Sequence, residues 1–320
     1  MRSKVLWGAL VVWAATLVLM PLVGPSEISL ARAWAGISPD AEILWRARVP
    51  RVVLALLAGG ALATAGVLFQ ALMRDALATP DTLGVSSGAS LGAVAAICFG
   101  WEAGVWPVGL AGAGIVLLLV TGLAGRAERG MSFTLLMAGI TVNAMCVALI
   151  LFLQTVSAMG RSLVVTRWLM GGLDSVETTT LGILALMVLP AVGLVLWRAG
   201  DWNLLAVGAE WAAAKGIEVK TSLRAGYFLG SLLAGSVTAI TGPIGFAGLI
   251  VPHILRMTLG ADHRQLVPAA FLLGGAFLAL CDGMARKVFA PAEMPVGVIT
   301  ALLGGPFFLW VLTQRARIRG

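Results

Sequence analysis

The sequence predicts an all-α polytopic membrane protein with about ten transmembrane helices, and three observations predict it. Of 320 residues, 59% are hydrophobic and only 12% charged, and the mean hydropathy is +0.98. A soluble domain keeps about a quarter of its residues charged, so this chain has too little polar surface to cover itself in water. Apolar runs of about 20 residues, enough to cross a bilayer as a helix, recur from end to end. The alternating segments that a membrane β-barrel needs do not appear. The 40 glycines are compatible with helices here. Small residues let spanning helices approach closely, and they recur four apart as Gly88/Gly92, Gly230/Ala234 and Ala234/Thr238.

The first run, 5–24, has the basic start of a signal peptide. Its apolar part exceeds the usual length of about 7–15 residues and no small-residue cleavage site follows closely, so it reads as an uncleaved span. Further spans follow at 51–72, 82–100, 106–125, 132–154, 179–197, 223–240, 243–260, 266–286 and 296–313. Glycine and proline inside them are accommodated by neighbouring helices. The seventh and eighth are parted only by "TGP". No soluble domain fits between spans, so residues 1–320 form a single transmembrane domain. Cys98, Cys146 and Cys281 stand alone within apolar runs, without metal or disulfide spacing, and read as small buried fillers.

Lysine and arginine set the orientation. Of the 22, eight fall on one side: Arg32, Arg46, Arg48, Arg51, Arg161, Arg167, Arg286 and Lys287. The remaining fourteen, among them Arg126, Arg129, Arg315, Arg317 and Arg319, fall on the other. The majority side is the inside, which places both termini in the cytoplasm of a bacterial inner (plasma) membrane. Arg48, Arg51 and Arg286 sit where spans meet the outer surface. An isolated arginine there snorkels and frames a helix end. A cluster on the disfavoured side also suits docking, because guanidinium forks pair with carboxylates.

The spans themselves are nearly uncharged, whereas ion-coupled carriers hold acidic or basic groups at mid-membrane. Asp282 precedes Arg286 by one helical turn, so the two are expected to pair on one face. Gln70, Asn143 and Gln154 are equally interhelical hydrogen bonds or pathway contacts. His253 and His263 fall at the inner end of the eighth span and read as structural or loop residues. No phosphate-binding loop, zinc helix or nucleophile elbow occurs, and no cofactor or metal site is expected. If the chain transports, a separate subunit supplies the energy.

One inner segment is longer than the rest: "RAGDWNLLAVGAEWAAAKGIEVKTSLR", 198–224. Its Ala212–Lys215 run favours helix, Gly216 is placed to end that helix at a left-handed cap, and a second short turn is expected through 217–223. Two short helices there make either a knob for a partner ATPase or an interfacial amphipathic element.

Four stretches carry a resemblance: "RVPRVVLALLAGGALATAGVLFQALMRDALATPDTLGVSSGASLGAV" (48–94), "LAVGAEWAAAKGIEV" (205–219), "TGPIGFAGLIVPHILRMTLGADHRQLVP" (241–268) and "MPVGVITALLGGPFFLWVL" (294–312). In order and over nearly the whole chain, they are similar to the FecCD-type permeases, membrane subunits of ABC importers for iron–siderophores, haem and cobalamin. Asp75 and Ala76 replace that family's usual Asn–Pro. The resemblance implies type II ABC importer permease architecture: ten helices, a second permease copy in a homodimer, and two ATPase subunits that use ATP and Mg. It also implies a periplasmic or extracellular binding protein that docks by carboxylates, and no role for nucleic acid. By motif, Arg48 and Arg51 of "RVPR" and Arg286 of "DGMAR" fall at docking positions, and Glu210, Ala213 and Gly216 at ATPase-coupling positions within 203–221. Met137, Asn143 and Met145 of the fifth span are expected along the translocation path. Iron–siderophore is the first choice of cargo, with haem or cobalamin as the alternative; an ion-coupled secondary transporter is the remote one. Impermeant labels directed to Arg48 and to Gly216 are expected to react from opposite faces of the membrane; reaction from one face would end this reading.

Overall fold

A computed structural model of the chain describes residues 2–125, 131–174, 176–288 and 293–319, and none of these is in a strand. Arg126 and Arg129 lie outside the described residues, as do the side chains of Arg315, Arg317 and Arg319. Ten apolar helices correspond to the ten expected spans: α1 Arg2–Leu19, α2 Val49–Met73, α3 Val85–Phe99, α4 Val105–Gly125, α5 Met131–Val156, α6 Thr178–Trp197, α7 Val219–Thr241, α8 Ala247–Leu259, α9 His263–Val288 and α10 Val296–Arg319. They alternate in direction, so α1 begins and α10 ends on one face. That face carries the helices Ala199–Val207 and Ala209–Ala214 and is called the knob face; the opposite one, with Arg48, Arg51 and Arg286, is the arginine face.

The bundle is built around α2. Its sequence is apolar on every side and rich in alanine and glycine, and from Val52 to Leu72 nearly every residue is buried. A helix apolar all round belongs in a core. Pro50 stands in its first turn, where the missing N–H costs nothing. Arg74, with φ of 52°, ends it. α9 lies against α2 with almost no side chain between them: a Cβ on Gly274 would press into Ala63 and the Gly59 carbonyl. Lipid tails are as apolar as leucine, so such close backbone approach supplies the packing that water would otherwise drive.

Two helices start within the depth of the bundle instead of at its edge. After Arg74 the chain turns back into the bundle, and α3 begins only at Val85, beyond a 3-10 turn at Asp81–Leu83. Leu83 is fully buried, and its carbonyl accepts the Tyr227 hydroxyl at 3.0 Å. Tyr227 lies two turns into α7, about 12 Å from its start at 1.5 Å per residue. The Ser87 hydroxyl donates to the Gly84 carbonyl at 2.7 Å. α8 likewise begins at Ala247, after Phe246 at φ 66°, beside the middle of α2; the Pro80 ring lies against Gly248. Unwound backbone at membrane depth is tolerated where protein encloses it. This explains why α3 and α8 are shorter than a full span and why they begin at 85 and 247, later than 82 and 243.

Two further differences are local. The expected short turn through 217–223 does not exist as a separate element: it is the first turn of α7, which starts at Val219. A helix at Met159–Leu169 on the arginine face was not expected. Gln154 of α5 is bonded to it, its amide donating to the Thr166 hydroxyl at 2.7 Å. Gln70 Nε2 donates to the Gly248 carbonyl at 3.4 Å. Both glutamines are therefore interhelical bonds.

Gly274→Val is expected to lower the thermal midpoint of the detergent-solubilised protein by an amount matching about 1–3 kcal/mol of overpacking. Gly193→Ala, in α6 with open space around the added carbon, is expected to leave it unchanged.

Candidate functional site

On the arginine face, a widened π-type turn at Ile43–Arg48 leads into α2 and turns Arg48 inward. Arg48 is buried. Its Nη1 donates to the Pro21 and Leu22 carbonyls at 3.3 and 3.4 Å, and its Nη2 donates to the Ser26 backbone and hydroxyl oxygens. Arg51 stands one turn further along. Its Nε and Nη2 grip Asp282 of α9 from 2.9 to 3.2 Å, and its Nη1 donates to Glu293 Oε2 at 3.1 Å. Arg286 Nη1 donates to the Val23 carbonyl at 2.8 Å, and its Nε lies 3.0 Å from Asp282 Oδ2, while Nη2 has no partner although buried. The expected Asp282–Arg286 contact along α9 is present, and a cross-helix contact to Arg51 accompanies it.

The three arginines thus share one neighbourhood. With Pro25, Ser26, Arg167, Asp174 and Glu293 they line an open cup of about 450 Å³. Asp282, 1% exposed, is its central counter-charge, and Glu293, 41% exposed, is its outer one. Arg46, by contrast, is exposed. Sequence reasoning missed Glu293 and the Arg51–Asp282 pair. They are 242 and 231 residues from Arg51, and only the α2–α9 packing brings them together. The available signal was the lone acid "AEMP" just before the last span.

On the knob face, Asn203 fastens the knob to the bundle. Its Oδ1 accepts from the His263 backbone N–H at 2.8 Å and lies 2.7 Å from Nδ1, and its Nδ2 donates to Asp262 at 2.9 Å. Trp202 is fully buried and donates to the Val195 carbonyl at 2.8 Å. The Ala209–Ala214 helix then stands outward. Gly216, at φ +83°, ends it with the Ile217 N–H donating to Ala212 O at 3.0 Å and its own N–H donating to Ala213 O at 2.9 Å. This pair of bonds is the Schellman cap. Glu210, Ala213 and Gly216 are all exposed, and Trp211 beside them is 64% exposed, an apolar anchor with nothing packed on it.

The three candidate path residues on α5 are not brought to one face. Met137 and Met145 are exposed and about 80° apart around the helix at 3.6 residues per turn. Asn143 points elsewhere, with its backbone beside Gly84 at the start of α3. Among the described residues, no group of three or more His, Cys, Asp or Glu is placed to hold a metal.

Comparison with known proteins matches residues 10–314 to the FecCD transport family. The chain is 38% identical to the hemin transport system permease protein HmuU of Yersinia pestis, covering 93% of this chain and 92% of that one. It is also 38% identical to the cobalamin import system permease protein BtuC of Halobacterium salinarum, over 84% of this chain and 72% of that one. A solved structure described as an inward-facing conformation of a metal-chelate type ABC transporter superposes with a TM-score of 0.89 at 29% identity, covering 98% of this chain and 99% of that one.

Asp282→Asn removes the buried partner of two guanidiniums. It is expected to cost about 3–5 kcal/mol of stability, as for one-sided loss of a buried pair. Glu293→Gln, at the rim, is expected to cost under about 1 kcal/mol. Chemical denaturation in detergent compares the two.

Proposed function

The chain belongs to the FecCD transport family and is an ABC importer permease, and from that premise we propose that its cargo is a bulky metal chelate, iron–siderophore first, with haem or cobalamin as the alternative. The match over residues 10–314 carries the reading. The second reading draws on the hemin and cobalamin permeases, each 38% identical. The chain is a transport subunit, not an enzyme; ATP is hydrolysed by a partner.

In the proposed mechanism the knob face is cytoplasmic, because the majority of Lys and Arg lie on that side. Two ATPase subunits, using ATP and Mg, grip the exposed Glu210, Ala213 and Gly216 of the two permease copies. The stub helix is stiff because its Schellman cap is closed and because Asn203 and Trp202 anchor the preceding helix. A push on it enters α7 directly, only three residues after Gly216. The exposed apolar face of α5, with Met137 and Met145, faces the second permease copy and the path between them. A path of this kind offers a large chelate dispersion contacts without a charged trap. At the arginine face, a substrate-loaded binding protein presents carboxylates to the cup of Arg48, Arg51 and Arg286, which orients it for release.

Three experiments check this. Glu at positions 48, 51 or 286 is expected to weaken docking of the binding protein by about tenfold or more, the loss typical of a broken interfacial charge pair. ATPase co-purification serves as the folding control; unchanged docking in a pull-down removes the carboxylate–arginine account. Gly216→Val, which forces a β-branched side chain into a left-handed turn, is expected to leave docking intact and depress transport-coupled ATP hydrolysis. In liposomes, ATPase stimulation by the binding protein loaded in turn with ferric siderophore, haem and cobalamin identifies the cargo; stimulation by none of the three rejects the chelate reading.

A further inference from the structure

Each guanidinium nitrogen of Arg51 already bonds a carboxylate, so an incoming carboxylate meets no fully free nitrogen. Nε and Nη2 are taken by Asp282, and Nη1 by Glu293. The two acids are not equivalent. Asp282 is 1% exposed and also contacts Arg286, so it is fixed in the wall. Glu293 is 41% exposed, and Arg51 is its one ion-pair partner among the described residues. It also lies three residues before the start of α10.

We infer that Glu293 is an internal stand-in for a partner carboxylate: docking proceeds by exchange, in which an acidic side chain of the binding protein takes Arg51 Nη1 and displaces Glu293. The inference rests on the docking role proposed above. Exchange suits this place physically. A bare guanidinium cluster around a single buried aspartate carries unbalanced positive charge, and a rim carboxylate offsets it until a partner arrives. A solvent-facing ion pair contributes little to stability, so the displaced contact is a weak one, and the partner's carboxylate replaces it where docking excludes water.

The release has somewhere to go. The Gly297 N–H, in the first turn of α10, donates to the Gly171 carbonyl at 3.0 Å, and the Gly172 N–H donates to the Thr241 carbonyl at 2.8 Å. Thr241 is the last residue of α7, and α7 begins three residues after Gly216. A segment freed at Glu293 is therefore two backbone hydrogen bonds from the helix that starts at the knob.

The importer's purified substrate-binding protein, fluorescently labelled and titrated onto the permease–ATPase complex in nanodiscs, tests this. Glu293→Gln is expected to tighten the affinity about threefold, the scale of an exposed pair. Asp174→Asn, which removes a carboxylate of the same cup that is not bonded to Arg51, reports the general field effect and is expected to change affinity much less. In an Arg51→Gln background the Glu293→Gln gain is expected to vanish. Arg51→Lys, which keeps the charge beside Asp282 but lacks the second arm, gives the same comparison if the glutamine variant fails to fold. Equal gains from Glu293→Gln and Asp174→Asn, a gain that survives without Arg51, or no gain at all overturns the exchange while leaving the docking role of the arginines standing. Arg51→Gln and Arg51→Lys both binding like the native chain removes the docking role at Arg51 and this inference with it.

Discussion

The close packing of α2 is the constraint on which the rest of the structure depends. In lipid, apolar side chains gain little by leaving their surroundings, so a helix is held by how closely its neighbours approach. α2 meets this with a run of small residues that lets α9 reach its backbone at Gly59. The same helix positions both working faces. Arg48 and Arg51 stand at its start, and the Arg74 side chain at its end reaches the Gly208 joint between the two knob helices.

The charges of the arginine face follow from that packing. Because α9 lies along α2, Asp282 meets Arg51 across the seam and Arg286 along its own helix. One carboxylate between two guanidiniums satisfies charges that the bilayer edge would otherwise have to solvate. Burying such ions is costly, and geometry of this quality is what offsets the desolvation. The Arg48 guanidinium is held differently, by carbonyl oxygens of the chain after α1. The cluster is therefore a built wall with Glu293, bonded to Arg51, as the exposed acid at its rim.

The broken starts of α3 and α8 contrast with the continuous α7. α3 begins against α5 and α7, two residues after Leu83, whose unwound carbonyl a buried tyrosine holds. α7 has no such break. It runs without interruption from the cap of the knob to the seam beneath the arginine cup.

By itself the sequence determined what depends on local pattern. The ten apolar helices, their alternation, the Asp282–Arg286 contact and the left-handed Gly216 cap all follow from composition, helical period and residue-level backbone preference. Its longer motifs also carried the family resemblance. Only the tertiary structure decided that Gln70 and Gln154 are interhelical bonds and that two helices start within the depth of the bundle. It alone joined Arg51 to Asp282 and Glu293. These depend on which helix lies beside which, and no local period encodes a contact between residues 231 positions apart; that is set when α2 and α9 close on each other through their glycines.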